Sequence, residues 1–189
     1  KRFSKRLLIV ASILILTNLF ASKVVLRLDL TAEKRHSISD STKNLLENQE
    51  KGVKVDVFLE GDMNVGFLRL KKSVQYMLDE MDRYANVGLN VEFKDPLKEA
   101  TTEKESNIIM AKMQRKGLSP TMVHDYDKSG NTLQKVIFPW AVVSCAGDTI
   151  KVPLLQNIAG RSGDENLNSS IENLEYVFTD ALRILTQKE

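Results

Sequence analysis

The apolar and polar positions of the chain change their spacing several times, and each spacing predicts a different element. Val53–Leu59 (VKVDVFL) alternates between apolar and polar side chains, as a strand does. Leu89–Phe93 (LNVEF) indicates a second strand. Between these strands apolar side chains recur every three or four residues, which predicts an amphipathic helix over Phe67, Leu70, Val74, Met77, Met81 and Tyr84.

The second half of the chain predicts one more helix and then a series of strands. Thr101–Lys116 is helical by content and is followed by Gly117, a residue suited to a helix C terminus. Pro139 cannot donate to a strand ladder, so it marks a bulge or a sheet edge. The extended stretches predicted here are Thr121–Tyr126, Leu133–Cys145 and Thr149–Leu155.

The C-terminal region predicts a loop and a final helix. Residues 156–165 are polar and contain two glycines, which is typical of a loop. Ser169–Glu172 has the spacing of a capping box, so the helix is expected to begin there. Its apolar face is predicted to carry Ile171, Leu174, Phe178, Leu182 and Leu185.

These elements together predict an α/β fold. Strand–helix–strand units followed by a hairpin imply a mixed sheet with flanking helices, parallel at first and antiparallel at one side. A thioredoxin-like order of elements is the nearest simple arrangement, and a Rossmann-like sheet is the alternative.

The first 26 residues predict a membrane anchor. KRFSKR precedes an apolar run from Leu7 to Leu26, and a helix needs roughly 20 apolar residues to cross a bilayer. The basic residues before the run place the N terminus in the cytoplasm. A cleaved signal peptide is the alternative, but small residues are poorly placed for cleavage around Ala21. We therefore predict a cytoplasmic stub and transmembrane helix at residues 1–26 and an extracytoplasmic domain at residues 27–189.

Charge and composition narrow the classes of function. The formal net charge is +2, but six basic residues precede Asp29, the first acidic one, so the rest of the 189-residue chain is mildly acidic. A nucleic-acid-binding protein needs a concentrated basic face, which this body lacks. The single Cys145 excludes an internal disulfide, and neither His36 nor His124 has a second histidine at ligand spacing. We expect no metal and no cofactor.

The stretch Arg27–Leu46 (RLDLTAEKRHSISDSTKNLL) connects the predicted anchor to the domain. Ser37 or Ser39 is expected to cap a short helix bearing Leu45 and Leu46, with Asp40 in its first turn. The stretch is then an ordered entrance rather than a tether. Its buried leucines should contribute more stability than an exposed charge such as Lys34.

The candidate chemistry is confined to three carboxylates. No P-loop pattern occurs, no GxGxxG follows a strand, and the turn EGDMNVG lacks the CxxC of a dithiol oxidoreductase. Glu60, Asp62 and Asp95 are expected at the same edge, where open α/β sheets bind ligands, and three acids there suit a cation or acid/base chemistry. The simpler interpretation, which we favour, is turn formation, with Asp62 as a helix cap and Asp95 preceding Pro96.

The remaining candidate residues are expected to have structural roles. Cys145 lies in an apolar strand and is expected to be inert packing. Phe138 and Trp140 are either core residues or an exposed contact patch, and we favour the core. His124 belongs to a predicted hairpin, with no nucleophile motif nearby.

Several segments resemble one family. The stretch RLDLTAEKRHSISDSTKNLL is similar to the juxtamembrane signature of the GldG family, the gliding-motility-associated ABC-transporter proteins of Bacteroidetes. The resemblance continues, in family order, through VDVFLEGDMNVGFLRLKKSVQYMLDEM, KGLSPT, KVIFPWAVV with VPLL, and NLNSSIENLEYVFTDAL. His36 and Trp140 depart from the pattern.

The resemblance implies a function in transport. It implies a protein in the inner membrane whose extracytoplasmic part is similar to the GIFT domain and which works beside a membrane subunit and a separate ATPase. It also implies that this chain is the N-terminal part of a longer protein. We expect a non-catalytic accessory subunit of the transporter; a periplasmic solute-binding module is the alternative, and a hydrolase with catalytic residues elsewhere is a third hypothesis.

Overall fold

The computed structural model describes residues 38–126 and 130–186. The predicted anchor at residues 7–26, Ser37, Lys34 and His36 lie outside the described residues. The described helices and strands, in chain order, are α1 (Asp40–Glu47), β1 (Val53–Val57), α2 (Val65–Asp82), β2 (Leu89–Phe93), α3 (Glu103–Arg115), β3 (Thr121–Tyr126), β4 (Thr132–Ile137), β5 (Trp140–Cys145), β6 (Asp148–Pro153), α4 (Gly163–Glu172) and α5 (Leu174–Thr186).

Four strands form the main sheet, in the order β2-β1-β5-β6. β1 and β2 run parallel, and α2 provides the crossover connection that parallel neighbours need. β5 is antiparallel to both β1 and β6. β3 and β4 pair with each other as a separate two-stranded sheet, and along the chain they lie between β2 and β5. The prediction of an α/β fold with a mixed sheet and flanking helices is confirmed.

The main core lies on one face of this sheet. The alternating residues Val53, Val55 and Val57 of β1 are at most 2% exposed, and α1, α2 and α5 contribute side chains to the same cluster. The predicted apolar face of α2 is largely confirmed, with one difference at its centre. Leu78 is buried there and Met77 is only half-buried, since both positions satisfy the helical spacing from Val74.

The opposite face of the sheet is mostly polar, with a second, smaller cluster. Met113 of α3, Leu118 and Phe138 are buried together, with Trp140 half-buried beside them. Trp140 Nε1 donates a hydrogen bond to the carbonyl oxygen of Ser119 at 2.8 Å. The prediction that Phe138 and Trp140 belong to the core is therefore confirmed for Phe138, while Trp140 lies at the boundary of the small cluster.

Pro139 separates two strands that were predicted as one. β4 ends at Ile137 and β5 begins at Trp140, whose N–H donates to the Phe138 carbonyl at 2.8 Å. This tight turn lets the chain leave the hairpin and enter the main sheet. The Pro139 carbonyl accepts from the N–H of Leu154 at 2.9 Å, so the β5–β6 pairing continues to Pro139. The proline, which has no N–H to donate, lies at the break between β4 and β5.

The start of the C-terminal helical region was predicted wrongly. α4 begins after Ser162, whose hydroxyl accepts from the Glu165 N–H while the Glu165 carboxylate accepts from the Ser162 N–H. Ser162–Glu165 and Ser169–Glu172 have the same capping-box spacing, but Ser169 lies inside α4 and its hydroxyl accepts from Arg161. The earlier box caps the helix because Leu167 must be helical to reach the core.

The entrance helix α1 is capped as predicted. The Ser39 hydroxyl accepts from the Thr42 N–H, and Asp40 lies in the first turn. Leu46 is 1% exposed and Leu45 is half-buried.

No helix in residues 38–126 or 130–186 combines the length and the apolar content that crossing a membrane requires.

Candidate functional site

The three candidate carboxylates follow the carboxyl ends of the two parallel strands. Glu60 and Asp62 lie in the loop after β1, and Asp95 lies two residues after β2. Gly61 has a φ of 100°, and a Cβ atom built on it would lie 2.7 Å from Asp95 Oδ2. The two loops are therefore in contact through the backbone of Gly61 and the carboxylate of Asp95.

Glu60 is held by a lysine of the neighbouring helix. Lys71 Nζ lies 2.5 Å from Glu60 Oε2, and it also lies 5.7 Å from the centre of the Phe93 ring. The hydrogen bond from Lys71 lowers the pKa of Glu60 below its ordinary value, which outweighs the opposite effect of partial burial. Glu60 is thus an ionised partner of Lys71 and not a proton-sharing acid.

Asp62 contacts the β3–β4 hairpin through a lysine. Lys135 Nζ lies 2.9 Å from Asp62 Oδ1 and 2.7 Å from Asp125 Oδ2. The pKa of Lys135 is raised, first by the hydrogen bond with Asp125 and then by that with Asp62. Asp62 does not cap α2, contrary to prediction, because Asn64 Oδ1 accepts the Phe67 N–H at 3.1 Å.

Asp95 stabilises its own turn. Its Oδ1 accepts the N–H of Leu97 at 2.9 Å, which is the local bond that an aspartate two residues earlier commonly makes. Each of the three acids therefore has a separate partner. Across residues 38–126 and 130–186, no group of three or more His, Cys, Asp or Glu side chains is arranged to hold a metal ion.

A second charged cluster was missed at the level of sequence. On the polar face of the sheet, Lys94 Nζ lies 2.9 Å from Asp56 Oδ1 and 3.0 Å from Glu92 Oε2. Lys54 Nζ lies 3.3 Å from the same two oxygens. Alternation along β1 and β2 puts all four side chains on one face, but only the pairing register brings them together.

This four-residue cluster is internally neutralised. Hydrogen bonds with Asp56 and then Glu92 raise the pKa of Lys94, and those from Lys94 and then Lys54 lower the pKa of Glu92. Asp56 and Glu92 are directly opposite in the register, so without the two lysines their like charges would repel.

The other candidate residues have structural environments. Cys145 is 2% exposed in the main core, which confirms its predicted packing role. His124 lies on the exposed side of β3. A shallow depression of about 650 Å³ lies at the other end of strands β1 and β2 from Glu60, with Lys54, Asp82 and Asn90 among its lining residues.

Comparison with known proteins places the chain in one family. No curated protein and no solved structure matches the chain. Residues 32–144 match a family model described as a domain of unknown function (DUF7088). The match spans more than half of the 189 residues and contains β1, β2 and all three candidate carboxylates, so the protein belongs to the DUF7088 family.

Proposed function

We propose that the protein is a non-catalytic, membrane-anchored accessory subunit of an ABC transport system linked to gliding motility. It acts through protein–protein contacts on the periplasmic side of the inner membrane. The resemblance of residues 27–182 to the GldG family supports the transport system, and the basic KRFSKR before an apolar run supports the anchor.

The proposal that the protein is non-catalytic rests on one observation. Each of the three candidate acids already has a partner within the fold. Glu60 is bound by Lys71, Asp62 by Lys135, and Asp95 by the backbone of its own turn. General acid–base catalysis works best with a group whose pKa lies near the working pH, whereas the hydrogen bond from Lys71 lowers the pKa of Glu60. Carboxylates with lysine or backbone partners are instead suited to fixing loop positions at a contact surface.

We also propose a thioredoxin-like arrangement of the domain. A parallel pair, β1 and β2, followed by the antiparallel β5 and β6 supports a thioredoxin-like order, with the β3–β4 hairpin as an insertion. The residues EGDMNVG occupy the place of the redox motif in such a fold, and they contain no cysteine. A transmembrane helix at residues 7–26 precedes the domain.

The partners follow from this arrangement. The membrane subunit of the transporter is the direct partner, the separate ATPase is reached through it, and the lipid bilayer holds the anchor. To test this, the full chain carrying an affinity tag is isolated from membranes in mild detergent. A polytopic membrane protein and a P-loop ATPase should co-isolate with it. Isolation without either protein would overturn the proposed function.

Topology is tested by cysteine labelling in intact cells. Val65 is 83% exposed, whereas the native Cys145 is 2% exposed and provides the unlabelled control. An impermeant maleimide should label Val65→Cys from the periplasm and leave the unsubstituted chain unlabelled. Labelling of Val65→Cys only after lysis would contradict the periplasmic location.

A periplasmic solute-binding module is the second candidate. Ligands of open α/β sheets bind beyond the carboxyl ends of the strands, where Glu60 and Asp95 lie. A solute that raises the unfolding temperature of the full chain, but not that of Glu60→Gln or Asp95→Asn variants, would favour this alternative over a contact module.

A further inference from the structure

Among the residues that the structure describes, none covers the outer edge of β2 with a helix or strand. Within residues 38–126 and 130–186, the only helices or strands that contact β2 are β1 and α2. β2 is also the terminal strand of the main sheet. An edge strand presents unpaired N–H and C=O groups, which form a template for pairing with another chain.

Hydrogen bonds show which residues of β2 face outward. The Lys94 N–H donates to the Val57 carbonyl of β1 at 2.8 Å, so the alternate residues Asn90 and Glu92 also direct their backbone groups toward β1. The Leu89 N–H faces the other way and donates to Asp82 Oδ1 at 2.6 Å. Val91 and Phe93 therefore present their backbone groups to the open edge.

The two edges of the sheet differ in their protection. β6, at the other edge, carries Lys151 and ends at Pro153, residues that commonly block strand addition. β2 contains no proline, and its Val91 and Phe93 side chains are apolar and half-buried. An added strand would bury them further and extend the main core.

Charge selects the partner and the register. Glu92 and Lys94, which already pair within their own chain, flank Phe93 on the polar face. A two-fold axis at Phe93 places Glu92 opposite Lys94 of the second copy, and the reverse, so the charge network would continue across the junction without a like-charge contact. An axis at Glu92 would oppose two like charges. An axis at Val91 would require the Leu89 N–H, which Asp82 already occupies.

We propose that β2 pairs antiparallel with β2 of a second copy of this chain about an axis at Phe93, joining the two four-stranded sheets into one. A five-residue strand supplies only part of the roughly 1,200–2,000 Å² that stable interfaces bury, so this dimer is weak. A covalent trap is therefore the appropriate test.

The register is tested by disulfide trapping between two differently tagged full-length chains, one with Glu92→Cys and the other with Lys94→Cys. These positions form a pair with Cα atoms about 4.5 Å apart in the proposed register, within disulfide range. Mild oxidation of the mixture should give several-fold more dimer than either chain alone. Equal yields in the three samples would overturn the proposal. The unsubstituted chain, with Cys145 buried, is the background.

The proposed dimer has two cross-strand pairs, and the disulfide occupies one of them. A charge exchange tests whether the charges of the other pair, Lys94 of one chain and Glu92 of the other, are complementary. Adding Lys94→Glu to the Glu92→Cys chain opposes two glutamates and should reduce trapping several-fold. Adding Glu92→Lys to the Lys94→Cys chain should then restore it. An unchanged yield of disulfide-linked dimer after both substitutions would contradict the proposed axis.

A proline substitution tests the open edge itself. Val91→Pro removes an outward N–H and leaves the bonds to β1 intact, so trapping should be lost while the unfolding temperature falls less than in the matched control. The matched control, Asn90→Pro, removes an inward N–H and should lower the unfolding temperature. Undiminished trapping in a folded Val91→Pro chain would overturn the proposal; if that variant does not fold, the charge exchange decides.

Discussion

Gly61 is the residue at which the loop after β1 meets the loop after β2. Its φ of 100° lies in the region that disfavours a side chain, and a Cβ atom there would meet the Asp95 carboxylate at 2.7 Å. Asp95 cannot simply move aside, because its Oδ1 holds the Leu97 N–H. The approach of the loops thus depends on the absence of a side chain at this position.

We expect Gly61→Ala to destabilise the fold more than Gly147→Ala. Gly147 has a similar φ of 95° but no heavy atom within 4 Å of a Cβ position, so it isolates the backbone strain. That strain costs about 1–2 kcal/mol, and Gly61→Ala should cost a further ~1 kcal/mol because of the clash. Chemical denaturation measures both variants.

Removal of the Asp95 side chain provides the control for this contact. Asp95→Ala should be less harmful in the Gly61→Ala background than in the native chain, because the clash disappears with it. Additive effects of the two substitutions would contradict the proposed contact.

At the scale of elements, α1 is joined to α5 by a polar cluster. The Glu175 carboxylate accepts from the Ser39 N–H at 2.8 Å and from the Thr42 hydroxyl at 2.7 Å, and Thr42 also contacts Thr179 at 3.0 Å. Burial raises the pKa of Glu175, but the hydrogen bonds from Ser39 and Thr42 outweigh it, so the net shift is downward. α1 is therefore fixed to the body by specific bonds as well as by Leu46.

Substitutions in α1 should rank by the contacts they remove. Leu46→Ala should cost roughly 2–5 kcal/mol because the side chain is 1% exposed. Ser39→Ala should cost about 1 kcal/mol through loss of the N-cap. Glu47→Ala, on the exposed side, is the matched control and should change little. The measurement is the midpoint of thermal unfolding. Equal midpoints for the three variants would show that α1 is a tether that does not stabilise the fold.

At the scale of the whole molecule, the sheet separates two hydrophobic clusters of unequal size. Phe178 is 1% exposed in the main core, and Phe138 is 2% exposed in the small cluster with Met113 and Leu118. Among the described strands, β3 and β4 pair only with each other. Local opening of the hairpin and α3 is therefore expected at a lower free energy than opening of the main sheet.

The two phenylalanines are a matched pair for this expectation. Phe178→Ala should lower the global free energy of unfolding by about 3–5 kcal/mol. Phe138→Ala should instead mainly accelerate hydrogen exchange in α3 and in β3–β4, with exchange in β1 less affected. Amide exchange followed by mass spectrometry distinguishes the two results. Uniform acceleration by Phe138→Ala would show that the clusters open together.

Local patterns in the sequence determined most of the elements. The alternation in VKVDV, the helical spacing from Phe67 and the Ser39 cap depend on residues close together in the chain, so they could be predicted without a fold. The start of α4 was different. Two identical capping-box spacings occur there, and only burial of Leu167 in the core decides between them.

The tertiary structure decided which charges distant in sequence meet, whereas pairs three residues apart on one helix, such as Asp40 with Lys43, are local. Lys135 reaches Asp62 across the hairpin, and the Lys54, Asp56, Glu92 and Lys94 cluster forms only because β1 and β2 pair in one register. A shift of one residue would turn every side chain of β2 to the other face. The sequence by itself therefore determined the candidate residues, their elements and the local bond of Asp95 to its own turn. The lysine partners of Glu60 and Asp62 follow from the chain topology, since ion pairing depends on distance in space and not on distance along the chain.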